Sequence, residues 1–246
     1  MKIILTQLMI IFTFLLAFSS GPPDGRTGAP GELTCYDGCH NSYTLNYGTG
    51  NVSFSGVPEL YVPGETYLIT ILVAHPSMQR WGFELSVKTN QQAQAGNITV
   101  TQSNYTQTGF LSGITYLKHR SAGTFNGQAG GAEWEFEWTA PESETGNITF
   151  YASGNCANGN GMNSNDYIYT TSISSNEDIN FCYSEGDINV DGNLNIQDII
   201  LVMNYILGIM EFSEDQSCAG DVNEDGLINI MDIIIIIDWI MSGAQF

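Results

Sequence analysis

Asp187-Ile188-Asn189-Val190-Asp191-Gly192-Asn193-Leu194-Asn195-Ile196-Gln197-Asp198 is one acidic loop of twelve residues. It returns as Asp221-Val222-Asn223-Glu224-Asp225-Gly226-Leu227-Ile228-Asn229-Ile230-Met231-Asp232, and both copies run into an apolar stretch. Ca²⁺ takes six to eight oxygen ligands. A loop of this kind supplies them from positions 1, 3, 5, 7, 9 and 12, with Gly at 6 for the sharp turn. In the first copy Asp187, Asn189, Asp191 and Asp198 offer side-chain oxygens and Asn193 its carbonyl. In the second, Asp221, Asn223, Asp225 and Asp232 do so, with the Leu227 carbonyl. Asn195 and Asn229 stand at position 9, where contact often passes through water.

Position 12 is Asp rather than Glu, which shortens the bidentate reach. The stretches before the loops, "SSNEDINFCYSEG" and "EFSEDQSCAG", lack a 3.6-residue period. The sequence therefore predicts two loop-helix units rather than full helix-loop-helix pairs. After residue 181 there are twelve acids and no Lys or Arg, so folding of this tail should be coupled to metal. Cys182 and Cys218 each stand just ahead of a loop, where a disulfide would tie the repeats together.

Two such units, offset by 34 residues, resemble a type I dockerin over residues 182–246. An Asp-rich structural Ca²⁺ array is the alternative, but such arrays lack the apolar helix after each loop. The resemblance implies two Ca²⁺ ions and a cohesin-like protein module as partner. It also implies recognition at loop positions 10 and 11, here Ile196/Gln197 and Ile230/Met231, and along the helices. Each helix carries two apolar stripes. Ile196, Ile199, Ile200, Met203, Ile206 and Leu207, with Ile230, Ile233, Ile234, Ile237, Ile240 and Met241, are spaced to bury one another. Leu201, Val202 and Tyr205, with Ile235, Ile236 and Trp239, remain as the expected partner surface. The apolar character of these positions favours a hydrophobic partner over a cellulosomal cohesin. Packing of this second stripe on the chain's own sandwich is the alternative.

The whole chain has 246 residues and a formal charge of −20, from 26 acidic and 6 basic residues. That length suits one medium domain and a small one. The acidity argues against nucleic acid and anionic membranes as partners. Residues 1–19 read as a secretory signal. Lys2 opens an apolar run, and Ala17 and Ser19 are the small residues of a cleavage site after Ser19. No other segment reads as a membrane span; residues 230–241 are too short and include Asp232 and Asp238. The mature chain is expected to be secreted, free or held at a cell surface or scaffold.

Residues 45–180 read as antiparallel β-structure, a sandwich. Residues 66–74 alternate Tyr67, Ile69, Ile71 and Val73, and residues 82–88 place Phe83, Leu85 and Val87 on one face. Residues 133–139 alternate Glu with Trp134, Phe136 and Trp138, while 147–152 and 166–171 are further β-branched and aromatic runs. Glu133, Glu135 and Glu137 are simply the wet side of a strand, and no second acid is placed across a cleft for glycoside hydrolysis. The stretches "SSGPPDGRTGAPGELTCYDGCH", "YVPGETYLITILV", "GFELSV" and "WEFEWTAPESETGNITFYASGNCANGNGMNSNDYIYTTS" resemble choice-of-anchor V domains, exported bacterial β-sandwiches similar to Reeler domains. The resemblance implies a domain over residues 20–180, delivered by different C-terminal attachment devices, with no enzymatic activity to carry over.

Cys35-Tyr36-Asp37-Gly38-Cys39-His40 is the candidate for redox chemistry. Haem c needs two thiols for thioethers and an adjacent His for iron. The spacing here is one residue longer than the usual Cys-x-x-Cys-His. His119 is the first choice for a second axial ligand, with Met162 and His75 behind it. A disulfide of Cys35 with Cys39, a disulfide of either with Cys156, and a Zn²⁺ or Cu site on Cys35, Cys39, His40 and His119 are the alternatives. The expected function is non-enzymatic docking of a β-sandwich payload through the Ca²⁺-loaded tail. One alternative is an extracellular electron carrier with haem on Cys35, Cys39 and His40. Another is an accessory role in polysaccharide breakdown, with carbohydrate stacked on Tyr61, Trp81 or Trp134.

Overall fold

A computed structural model describes residues 20–142, 145–178, 182 and 185–243. The segment read as a secretory signal, residues 1–19, lies outside the described residues. The chain divides into two compact units, Met1–Glu177 and Asp178–Phe246.

Among its described residues the first unit is a β-sandwich of ten strands: β1 (Asn51–Ser55), β2 (Leu60–Tyr61), β3 (Thr66–His75), β4 (Arg80–Thr89), β5 (Asn97–Val100), β6 (Thr106–Leu111), β7 (Ile114–His119), β8 (Gly130–Thr139), β9 (Ile148–Ala157) and β10 (Tyr167–Glu177). One sheet has the order β1-β3-β8-β5 and the other β2-β10-β9-β4-β7-β6. All pairs are antiparallel except β2 with β10. Period-two alternation explains the core, because successive side chains leave opposite faces of a strand. Ile69, Ile71 and Val73 of β3 and Trp134, Phe136 and Trp138 of β8 face Phe83, Leu85 and Val87 of β4 and Ile148, Phe150 and Ala152 of β9 in one buried cluster. Glu133, Glu135 and Glu137 point the other way and are exposed. Tyr61, Trp81 and Trp134 are all buried. That corrects their candidacy as a sugar-stacking surface: each is a core side chain.

β4 departs from simple alternation, since its outer face, Gly82, Glu84, Ser86 and Lys88, is buried as well. Residues 20–48 run over it as a strap. Asp24 pairs with Lys118 at 2.5 Å and Glu32 with Lys88. The Arg26 backbone N–H donates to Glu84 Oε2 at 2.5 Å, and Ser86 Oγ to Thr27 Oγ1 at 3.3 Å. The Cys35 N–H donates to Ser153 Oγ at 3.3 Å. The strap thus covers a sheet face with a hydrogen-bonded polar layer, which is what burial of charged groups requires.

Among its described residues the second unit holds three helices, α1 (Ile196–Ile206), α2 (Glu214–Gly220) and α3 (Ile230–Ser242). α2 corrects the expectation that no helix precedes the second loop. Its seven residues are too short for a periodic signal, but Ser213 and Gln216 form a capping box that starts it. Among the described residues no helix is long and apolar enough to cross a membrane.

Candidate calcium loops, docking face and thiol cleft

Both acidic loops fold alike, with the same backbone N–H groups bonded to the same side-chain positions. Asp187 Oδ2 accepts from the Gly192 N–H and Asp221 Oδ2 from the Gly226 N–H, each at 2.8 Å. Asn189 Oδ1 accepts from the Asp191 N–H, and Asn223 Oδ1 from the Asp225 N–H, each at 2.9 Å. The position-6 glycines sit at φ 79° and 82°, the left-handed region that glycine enters freely. Val190 and Glu224 at position 4 share that region, at φ 54° and 55°. For a β-branched residue this is a strained conformation, and no sequence signal announced it.

Asn195 and Asn229 cap α1 and α3, each completing a capping box with the position-12 Asp. Asp198 Oδ2 accepts from the Asn195 N–H at 2.9 Å, and Asp232 Oδ2 from the Asn229 N–H at 2.8 Å. Both carboxylates are fully buried, at 0 % exposure. With no Lys or Arg after residue 181, the second unit offers no side-chain cation to neutralise them. A hard set of Asp, Asn and carbonyl oxygens around such carboxylates fits Ca²⁺ better than a softer metal. Asp187, Asn189, Asp191, Asn193 and Asp198 would hold one ion. Asp221, Asn223, Asp225, Leu227 and Asp232 would hold the other, with Asn195 and Asn229 at position 9.

The helices bury only part of the stripe the periodicity suggested, Ile233 with Ile199 and Ile240 packed against the core, and leave the rest of it exposed. Val202 and Ile236 are 0 % exposed and, with Ile188, Ala219 and Ile233, form the core of the unit. This corrects their assignment to a partner surface. Leu201 packs on that core, Tyr205 stacks on Phe212 with ring centroids 4.4 Å apart, and Ile235 and Trp239 are half-buried. The exposed stripe is Ile196, Ile200 and Met203 on α1 with Leu207 at its C-cap, and Ile230, Ile234, Ile237 and Met241 on α3. Each α3 member lies 34 positions beyond its α1 counterpart, and Gln197 and Met231 flank the stripe, also exposed. The loops decide which stripe turns inward. Ile188 and Leu194 from the first loop, with Val222 and Ile228 from the second, pack on the core side. Cys182 and Cys218 are joined in a disulfide, with Cα atoms 5.8 Å apart.

In the first unit, Cys35, Cys39, His40, His119 and Met162 line one narrow cleft of about 80 Å³. Three separate stretches of sequence bring them there: the strap, the end of β7 and the β9–β10 loop. Cys35 and Cys39 are not joined to each other or to Cys156, so neither disulfide alternative is present. Burial pushes the Cys35 thiol up to about 12. Cys156 is a core residue, its thiol donating to the Ala74 carbonyl at 3.6 Å. His40 Nδ1 lies 2.8 Å from Asp166 Oδ2. The Phe83 N–H meets His119 Nδ1 at 3.0 Å. His119 lies so close over Gly82 that a Cβ there would stand 2.7 Å from its Cε1. His75 is elsewhere, stacked on Tyr167 with centroids 4.5 Å apart. No set of three His, Cys, Asp or Glu side chains among the described residues is gathered to hold a bare ion.

Paired oxygen-rich loops, each opening an apolar helix, and a disulfide between the two repeats make up the C-terminal unit. Residues 185–241 match the dockerin type I domain. No curated protein matches the chain. Among solved structures the chain is similar to the human F-spondin reeler domain, with 22% identity, 55% of this chain and 94% of that one covered, and a TM-score of 0.40. It is also similar to a type II cohesin domain from the cellulosome of Acetivibrio cellulolyticus, at 8% identity, 52% and 95% coverage and a TM-score of 0.32. A type I cohesin–dockerin complex from Clostridium thermocellum is a further neighbour, at 6% identity, 48% and 97% coverage and a TM-score of 0.31.

Proposed function

We propose that the C-terminal unit binds two Ca²⁺ ions and docks the β-sandwich onto a cohesin-type module outside the cell. One observation carries this reading: an exposed apolar stripe repeated at a 34-residue offset on two helices, each opened by an oxygen-rich loop. Four large apolar side chains per helix left in water mark a binding surface. Ca²⁺ neutralises the buried Asp198 and Asp232, closes the loops and so fixes α1 and α3 as one face. The test is calorimetric titration of the full chain with purified cohesin modules, with Ca²⁺ and then with EDTA. Saturable binding with Ca²⁺, lost in EDTA and in the double variant Ile200→Asp/Ile234→Asp, supports the reading. Binding that survives both changes refutes it.

A second reading, that the sandwich payload is an electron carrier with haem on Cys35, Cys39 and His40, is favoured by the cleft that these residues share with His119 and Met162. Cys35 and Cys39 would hold the group through thioethers and His40 would face its iron. Full-length chain made in a haem-attaching host should show a Soret band that survives denaturation and a haem-sized mass increment. An unmodified mass refutes thioether attachment.

A further inference from the structure

The disulfide of the second unit joins the entrances of its two loops. Cys182 stands five residues before Asp187, and Cys218 three before Asp221. A hydrogen bond crosses at the same place: the Gly186 N–H, next to Asp187, donates to the Ala219 carbonyl, next to Cys218, at 2.8 Å. Gly186 also lies under the helix of the other repeat. A Cβ there would stand 3.5 Å from Ile236 Cγ1 and from Trp239 Cε3. The first loop therefore starts on a surface that the second repeat supplies. The unit built on this junction is small. Among the described residues its buried core is Ile188, Val202, Ala219, Ile233 and Ile236, with Cys182 packed against it. A core of that size usually needs a metal or a disulfide to fold. Two buried carboxylates, Asp198 and Asp232, oppose folding until a cation arrives. Both cysteines are half-buried rather than sealed in, so a small thiol can reach the bond.

We infer that the Cys182–Cys218 disulfide is a redox gate on Ca²⁺ binding by the docking unit. The gate rests on the Ca²⁺ reading of the loops and adds what controls their filling. With the bond closed, the unfolded tail is already tied at the junction and has fewer states to lose when two ions complete the fold. A reducing dithiol opens it by exchange. Two electrons and two protons pass to the sulfurs, each cysteine becomes a thiol, and the reductant closes to its own disulfide. The bond spans 36 positions, and opening a bridge of this kind shifts a folding equilibrium by about 30- to 1000-fold. Two ions share that shift, so the Ca²⁺ midpoint should rise about 5- to 30-fold. The coupling is reciprocal, so bound Ca²⁺ protects the disulfide from reduction. Where thiols are kept reduced the tail stays open, and the docking face forms only where disulfides persist.

The experiment is a Ca²⁺ titration of the full-length chain, followed by helical circular dichroism, with and without dithiothreitol, and of Cys182→Ser/Cys218→Ser. Cys35, Cys39 and Cys156 are free thiols, so among the described residues the reductant has one bond to act on. Fluorescence of the buried Trp81, Trp134 and Trp138 checks that the sandwich stays folded. The oxidised chain should gain helix saturably. The reduced chain and the double variant should reach the same end point at about 5- to 30-fold more Ca²⁺. In a parallel dithiothreitol series, thiol labelling should show the disulfide surviving to higher reductant with Ca²⁺ than with EDTA. Equal midpoints for the oxidised and reduced chains, or a disulfide reduced as easily with Ca²⁺ as without, overturn the gate and leave the Ca²⁺ reading standing. A reduced chain that gains no helix at any Ca²⁺ concentration also overturns the gate, because the bond is then a condition of the fold itself. No gain of helix with Ca²⁺ in the oxidised chain overturns both.

Discussion

Glu84 makes the stability of the sandwich depend on pH in an unusual direction. Its carboxyl is 0 % exposed beneath the strap, and one oxygen, Oε1, has no hydrogen-bond partner. Burial pushes its pKa from 4.5 up to about 8, outweighing the opposing hydrogen bond from the Arg26 N–H. The folded state therefore keeps a proton that the unfolded chain releases. Stability from this group is complete below pH 4.5 and is lost as pH rises through about 8. His75, held below its ordinary 6.5 by burial, acts in the opposite sense and only under pH 6.5. Between pH 6.5 and 8 Glu84 is thus the exposed variable. One proton is worth about 1.36 kcal/mol per pH unit, which gives a loss of about 2 kcal/mol across that window. With a urea dependence of about 2 kcal/mol/M, the midpoint should fall by about 1 M. The assay is urea unfolding of the full chain in Ca²⁺, followed by fluorescence of the buried Trp81, Trp134 and Trp138. Glu84→Gln cannot ionise, so it should abolish the slope and be the more stable protein at pH 8. A wild-type midpoint that stays flat or rises from pH 6.5 to 8, or a slope that persists in Glu84→Gln, would refute the reasoning.

Asp187→Ala with Asp221→Ala removes the first oxygen ligand and the Gly192 and Gly226 N–H acceptors of both loops. The helical circular dichroism of the tail should collapse to its EDTA level while the sandwich fluorescence stays put, and a helix signal indifferent to EDTA would contradict metal-coupled folding. Val190→Asn should relieve a left-handed strain of about 1 kcal/mol at φ 54° and tighten apparent Ca²⁺ affinity about 5-fold in a competition titration. Val202→Asp places a charge in the core of the second unit and should unfold it, whereas Ile200→Asp, on a residue half exposed, should leave its melting temperature within a few degrees.

The two acidic loops could be read directly because their Asp and Asn side chains recur at every second position. The long central strands could be read because Trp, Phe and Ile alternate with polar residues there. β1, β2, β5, β6 and β7 escaped notice, being short or made of ordinary polar residues such as the "TQTGFL" of β6. The strap escaped for another reason. Its role depends on Asp24, Glu32 and Arg26 meeting β4 and β7 side chains 56 to 94 residues away, and such distant pairing leaves no local pattern. Asp166 was missed in the same way, since only the fold brings it to His40. The choice between the two apolar stripes of each helix was beyond periodicity altogether. α3 is apolar on nearly every side, and Val202 and Ile236 turn inward only because Ile188 and Leu194, with Val222 and Ile228, are there to meet them.

That same packing explains how a metal could govern a surface it does not touch. Asp198 and Asp232, which on the proposed reading would be the last ligands of their loops, are the N3 residues of α1 and α3, hydrogen-bonded to the capping Asn195 and Asn229. An ion held by the carboxylate therefore fixes the first turn of the helix. Ile188 and Val222, at position 2 of the loops, pack in the core with Val202 and Ile236, so a closed loop also sets which side of each helix is buried. Ile196, Ile200 and Met203, with Ile230, Ile234 and Ile237, are then left outward by exclusion. Without the ion, buried like charges and an unclosed loop act together against this arrangement, and the apolar helices lose the partner that distinguishes one stripe from the other. Exposure of the docking face should accordingly follow Ca²⁺ occupancy of both loops. A chain with one loop disabled, Asp187→Ala alone, should lose docking along with the order of α1, while the capping box of α3 persists.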